Sequence, residues 1–125
     1  VITLDSLREM FYGREAYLVG GGARNVYFGH DATPRDWDVL VEGDLPDIPC
    51  GWRANSFGGR KYESLGLDVW TDSVGKYLRE APGCLDGLAI HLGTMAVLMT
   101  SEFAELRPVE GRFVRRKEGV CTSTQ

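Results

Sequence analysis

Apolar residues fall into short blocks along the chain, and the spacing inside each block predicts an element. Leu4, Leu7, Met10 and Phe11 recur at helical spacing, with Thr3 or Asp5 available as an N-cap and Gly13 as a stop. Residues 16–19 form a brief apolar run cut off by three glycines, the pattern of a buried strand. Residues 23–28 then read as a helix that Gly29 closes. After a loop containing Pro34, Trp37, Val39 and Val41 alternate with Asp36, Asp38 and Leu40, which predicts a second strand whose faces differ at its start. Residues 52–56 and 60–64 flank Phe57-Gly58-Gly59 and predict a hairpin. Residues 67–70 alternate again, with Leu67 and Val69 opposite Asp68 and Trp70. A short helix is expected over 73–80, before Pro82. Residues 87–100 suit either one buried helix or a hairpin turning at Gly93-Thr94, and Gly93 favours the hairpin because it would weaken a helix interior. Residues 113–116 suggest a further strand, with fraying expected beyond it.

Strands and helices interleaved in this way predict an α+β (mixed α/β) fold, a small twisted mixed sheet backed by two or three helices. With 125 residues, one domain over 1–125 is expected. Charge changes the picture only slightly. A net charge of −4 does not favour a nucleic-acid groove, since phosphate neutralisation needs clustered Lys and Arg, and the one dense basic run is 112–117. Cys50, Cys84 and Cys121 form no CxxC pair and are odd in number, so they read as reduced thiols of a cytoplasmic protein. His30 and His91 lack zinc-ligand spacing. No run approaches the ~20 apolar residues of a membrane span, and no leader pattern opens the chain.

The candidate chemistry lies in two neighbouring features. Acids at positions i and i+2 of a strand share a face, so Asp36 and Asp38 project together while Trp37 and Val39 enter the core. Two carboxylates held this close repel unless a cation lies between them, and magnesium binds through one or two carboxylates plus substrate phosphates. Asp68 completes the cluster if its strand neighbours the first. Taken alone, such a pair is as often a solvated strand edge. Upstream, Gly20, Gly21 and Gly22 join a strand to a helix. Consecutive glycines let phosphate oxygens approach backbone N–H groups, and a helix N-terminus favours negative charge. Arg24 on the first turn is placed to meet a phosphate, although the same glycines also suit a plain tight turn.

The stretch YLVGGGARNVYFGHDATPRDWDVLVEGD resembles the head-domain signature of CCA-adding tRNA nucleotidyltransferases and bacterial poly(A) polymerases, within the DNA polymerase beta-like nucleotidyltransferase superfamily. Gly20 and Gly21 match its Gly-Gly, Arg24 its Arg, and Asp36 and Asp38 its Asp-x-Asp, while Asp68 in LGLDVWTD fits the third carboxylate. The likeness covers residues 17–72. It implies a palm-like fold and transfer of a nucleoside monophosphate from a triphosphate such as ATP to an acceptor hydroxyl. Asp36 and Asp38 would hold two Mg2+ (or Mn2+) ions, and Asp68 would help bind the catalytic ion and take the acceptor's proton. Gly20, Gly21, Gly22 and Arg24 would orient the triphosphate, with Arg35 meeting a phosphate or the acceptor. The acceptor class stays open among RNA or tRNA, protein and small molecules. Asn25 stands where the family carries Asp, and no Arg-Arg-Asp segment or helical tRNA-binding region follows, which points to a stand-alone transferase of viral or mobile-element type. A catalytically silent binding module of the same fold is the alternative. A dinucleotide-binding domain fits less well because the third Gly or Ala of GxGxxG is missing.

Overall fold

The structure, a computed structural model, describes residues 2–29, 36–109, 112–115 and 119–120, with side chains described as far as Leu106. The first half follows the hydrophobic pattern closely. Helix α1 (Leu4–Met10) is capped by the Thr3 hydroxyl, which accepts from the Ser6 N–H at 3.1 Å. Strand β1 (Ala16–Val19) runs directly into α2 (Gly20–Phe28), which Gly29 ends in the left-handed conformation at φ +68°. Strand β2 (Trp37–Val41) is followed by the hairpin of β3 (Arg53–Ala54) and β4 (Arg60–Tyr62), then by β5 (Leu67–Thr71). Helix α3 (Val74–Arg79) is capped by Ser73. Strands β6 (Leu88–His91) and β7 (Val97–Met99) pair antiparallel, so the apolar stretch is the expected hairpin.

These strands form one seven-stranded sheet in the order β3-β4-β5-β2-β1-β6-β7. The fold is mixed α+β, as expected, with β2 and β5 parallel and their neighbours antiparallel. Main-chain bonds close both ends of the parallel pair, from Trp37 N–H to Gly66 C=O at 2.7 Å and from Asp72 N–H to Val41 C=O at 3.1 Å. That fixes the register of β2 against β5 at its first and last residues.

Elements beyond the expected set lie near the end of the chain. Four α-helices stand among the described residues where two or three were expected, the added one being α4 (Ser101–Ala104), a single turn capped by Thr100. A separate three-stranded sheet joins β8 (Leu106–Val109), β9 (Arg112–Arg115) and β10 (Gly119–Val120). β9 begins and ends one residue before the strand expected over 113–116. Neither α4 nor β8 carries enough periodicity to be read locally.

The main sheet separates two apolar clusters. On one face Leu18, Trp37, Val39, Val41, Leu67, Val69 and Ile90 pack with Leu7 of α1, Phe11 at its C-cap and Ala23 of α2, nearly all fully buried. The Trp37 indole N–H finds the Ile2 carbonyl at 2.8 Å, so this ring is both core filler and anchor for the N-terminus. On the other face Val19, Leu40, Trp70 and Ala89 meet Val74, Tyr77 and Leu78 of α3, a smaller cluster. Cys84 is half of a disulfide, which corrects the reading of three reduced thiols; its partner lies outside the described residues, and Cys50 is free. Without three reduced thiols the cysteines no longer argue for the cytoplasm. Among the described residues no helix is long and apolar enough to cross a membrane.

Candidate functional site

The register of the sheet lines up one row of residues across four strands. Lys61 on β4 is opposite Asp68 on β5, Asp68 is opposite Asp38 on β2, and Asp38 is opposite Val19 on β1. Register partners present their side chains on the same face, with neighbouring strands about 4.8 Å apart. Asp38 and Asp68 are therefore held side by side. Asp36, just before β2, shares their face by the two-residue period of the strand. The three acids thus lie on one face of the sheet, Asp38 beside Asp68 and Asp36 two residues before Asp38.

Their electrostatics follow from that crowding. Burial, then the charges of Asp68 and Asp36, push the Asp38 carboxyl up to about 6, against an opposing pull from Lys61 and Arg24. Lys61 Nζ lies 3.0 Å from Asp36 Oδ1 and 3.9 Å from Asp68 Oδ2. The Asn55 amide donates to Asp68 Oδ1 at 2.6 Å, while its own carbonyl oxygen accepts from the Gly59 N–H at 2.7 Å. An ammonium and an amide thus stand among the carboxylates. Among the described residues no group of three His, Cys, Asp or Glu side chains is arranged to hold a metal ion. The donor set is nevertheless oxygen-only, which suits a hard cation.

Next to this row the three glycines divide into separate roles. They are the first turn of α2, not a loop before it, as the sequence pattern suggested. Gly20 has φ +67°, and a Cβ there would lie 2.8 Å from Asp38 Oδ2. Both the backbone and the neighbouring carboxylate require glycine. A Cβ on Gly22 would lie 2.8 Å from the Trp37 ring, so that position serves close helix–sheet packing. Gly21 meets only Arg24 Nη2, at 3.7 Å. Val19 caps α2 without a side-chain hydrogen bond and is itself opposite Asp38, so the helix begins beside the acid row.

Arg24 is held elsewhere than expected. Its Nη1 donates to the Leu85 carbonyl at 2.9 Å and lies 3.7 Å from Asp86 Oδ1, so the guanidinium braces the turn over Cys84–Asp86. Asp86 is buried, and burial raises its carboxyl against the opposing Arg24 charge. The charge of Arg24 is felt at Asp38, but the side chain is committed to Asp86 and Leu85. Arg35 lies outside the described residues. Trp70 takes the core position expected of it, 7% exposed, with Phe57 stacked on it at 4.8 Å between ring centroids.

Lys61 and Asn55 escaped the sequence reading. Their only signal was the β3–β4 hairpin, and its pairing to β5 must be known before Lys61 can be set opposite Asp68. Comparison with known protein families, with characterised proteins and with solved structures gives no match to this chain.

Proposed function

We propose that the chain is a metal-dependent nucleotidyltransferase, moving a nucleoside monophosphate from a triphosphate to an acceptor hydroxyl with release of pyrophosphate. One observation carries this reading: Asp38 and Asp68 are in register on parallel strands, with Asp36 on the same face and the start of α2 beside them. The raised Asp38 carboxyl supports it further, because a site that crowds three acids gains most from a divalent cation. Asp36, Asp38 and Asp68 would hold Mg2+ or Mn2+, and the bound ion would supply Lewis-acid polarisation of the phosphoryl oxygens.

The chain's own groups have separable tasks in this scheme. The N–H groups of the first turn of α2, which carry no side-chain cap, bind and orient the triphosphate. Asn55 fixes the rotamer of Asp68, leaving its Oδ2 to accept a proton from the acceptor hydroxyl. Lys61 neutralises the acids until the cation arrives and can then turn to a phosphate oxygen. Membership of the polymerase beta-like superfamily belongs to the same proposal and draws on the Gly20-Gly21 and Asp36-x-Asp38 pattern.

Lys61 also favours a second reading. An ammonium between Asp36 and Asp68 is what a silent nucleotide-binding module of this fold would place there in lieu of a metal. Mn2+ titration followed by electron paramagnetic resonance, with and without ATP, separates the two. The transferase reading expects a saturable Mn2+ site weakened at least about 100-fold in Asp38→Asn, and about twofold to fivefold tighter in Lys61→Met. It also expects pyrophosphate release with some RNA, protein or small-molecule acceptor. ATP binding that ignores divalent metal would establish the silent module, and absence of both metal and ATP binding would sink the two readings together.

A further inference from the structure

The acid row opens on one side into a cleft of about 430 Å³, within the range of small-molecule sites. Its walls include the rings of Phe57, Trp70 and Tyr77, and three carboxylates line it, Asp38 at the inner end with Asp72 and Glu80 beyond. Among the described residues no Lys or Arg lines it. Lys61 and then Arg24 are the cations felt at Asp38, and the Arg24 guanidinium is turned to Asp86 and Leu85. A separate depression of about 250 Å³ on the far side of Asp68 is instead polar and carries Arg53, Lys61 and Asn55. The charged residues lining the first recess are all acids, whereas the second carries both signs.

We infer that the aromatic cleft is a binding site for an organic cation, a small amine or quaternary ammonium with an apolar body. Aromatic faces attract an ammonium through the ring quadrupole, more strongly when the site is partly dry. Trp70 and Tyr77 lie with centroids 6.5 Å apart and Phe57 stacks on Trp70, so three rings meet at one corner of the cleft. The carboxylates give the same preference by simple charge complementarity, and with no divalent cation on Asp38, which with Gly20 belongs to both sites, they disfavour a phosphate or carboxylate occupant. A neutral planar ring, such as a nucleobase, would gain from the aromatic walls but not from the acids. This site goes beyond the transferase reading and does not rest on it.

Benzyltrimethylammonium is a suitable probe, with benzyl alcohol as a neutral match and adenosine as the nucleobase arm, followed by 1H–15N NMR titration of the whole chain. Saturable shifts are expected at Gly20, Phe57 and Tyr77 with the cation alone, weakening as salt is added. The exposed Phe57→Ala variant should weaken binding about threefold, and Asp72→Asn with Glu80→Gln roughly fivefold to tenfold. Unchanged NMR dispersion in these variants shows that they fold. The inference is overturned if benzyl alcohol or adenosine binds as tightly as the cation, if the double variant binds it unchanged, or if the cation produces no saturable shift. Because ATP and Mn2+ binding are read separately, failure here leaves the transferase reading standing, and the reverse also holds.

Discussion

Two rows of residues cross the same sheet one step apart, and they have opposite chemistry. The row Leu18, Val39, Val69 runs from β1 to β5 on one face and is buried to within 1% exposure, with Ile90 of β6 opposite Leu18. The adjacent row Val19, Asp38, Asp68, Lys61 sits on the other face and concentrates three charges. The backbone hydrogen bonds are shared, so the difference comes entirely from what covers each face. Helices α1 and α2 seal the apolar face, while α3 covers the other one at Val74, Tyr77 and Leu78 and leaves the acids facing a cleft. The first face holds the fold together. The second crowds carboxylates together, and ionisation of Asp38 is disfavoured there.

The sharpest break between the rows is expected from truncation on each. Leu18→Ala should lower unfolding free energy by about 2–5 kcal/mol in urea titration, since it opens a cavity in a sealed core. Asp38→Asn, one strand over, should leave stability unchanged or raise it at pH 7, because it removes a carboxylate whose ionisation the fold disfavours. Equal losses from the two would mean that the acid row is as structural as the apolar one.

A change of pH acts on the acid row and leaves the apolar row untouched. With the Asp38 carboxyl raised to about 6 from 3.8, the folded chain takes up the proton before the unfolded chain does as pH falls. Stability should therefore rise as pH drops from 7 towards 4, by about 2 kcal/mol from this group, and the buried Asp86 contributes with the same sign. Urea midpoints measured without divalent metal test this. Added Mn2+ should oppose the trend, since a bound cation stabilises the ionised form most above pH 6. A midpoint that falls steadily on acidification would contradict the assigned burial of Asp38.

The smallest effect compares neighbouring glycines. Gly20→Ala should cost roughly 1–2 kcal/mol from its left-handed φ, with added displacement of Asp38, whereas Gly21→Ala should change stability by less than ~0.5 kcal/mol. Thermal unfolding of the pair measures this directly. Similar losses at both positions would show that the turn, not the approach to Asp38, sets the requirement.

Most of the scaffold through His91 could be read from local pattern. Ala16–Val19 is short and sharply bounded, Trp37–Val41 and Leu67–Thr71 alternate cleanly, and Thr3 and Ser73 are strong caps. The side shared by Asp36 and Asp38 could also be read, since alternation puts the two on one side of a strand wherever that strand goes. Local pattern failed where contacts with distant residues decide the outcome. Arg24 was set on the right helix turn, but its guanidinium goes to Asp86, some sixty positions away, because a buried carboxylate attracts it more strongly than open solvent does. The single turn α4 and strand β8 have too few residues to show a period.

Periodicity is a property of neighbours in the chain, so residue order was enough to assign strands, helices and the sidedness of each acid. Pairing is a property of the folded sheet. Only the assembled strands put Asp68 opposite Asp38 and Lys61 opposite Asp68, and only the placement of α3 made a cleft of one side of that row. A one-residue slip between β2 and β5 would set Asp68 against the buried Val39 and turn a carboxylate into the sealed face, which is why burial of that face in the assembled sheet fixes the register.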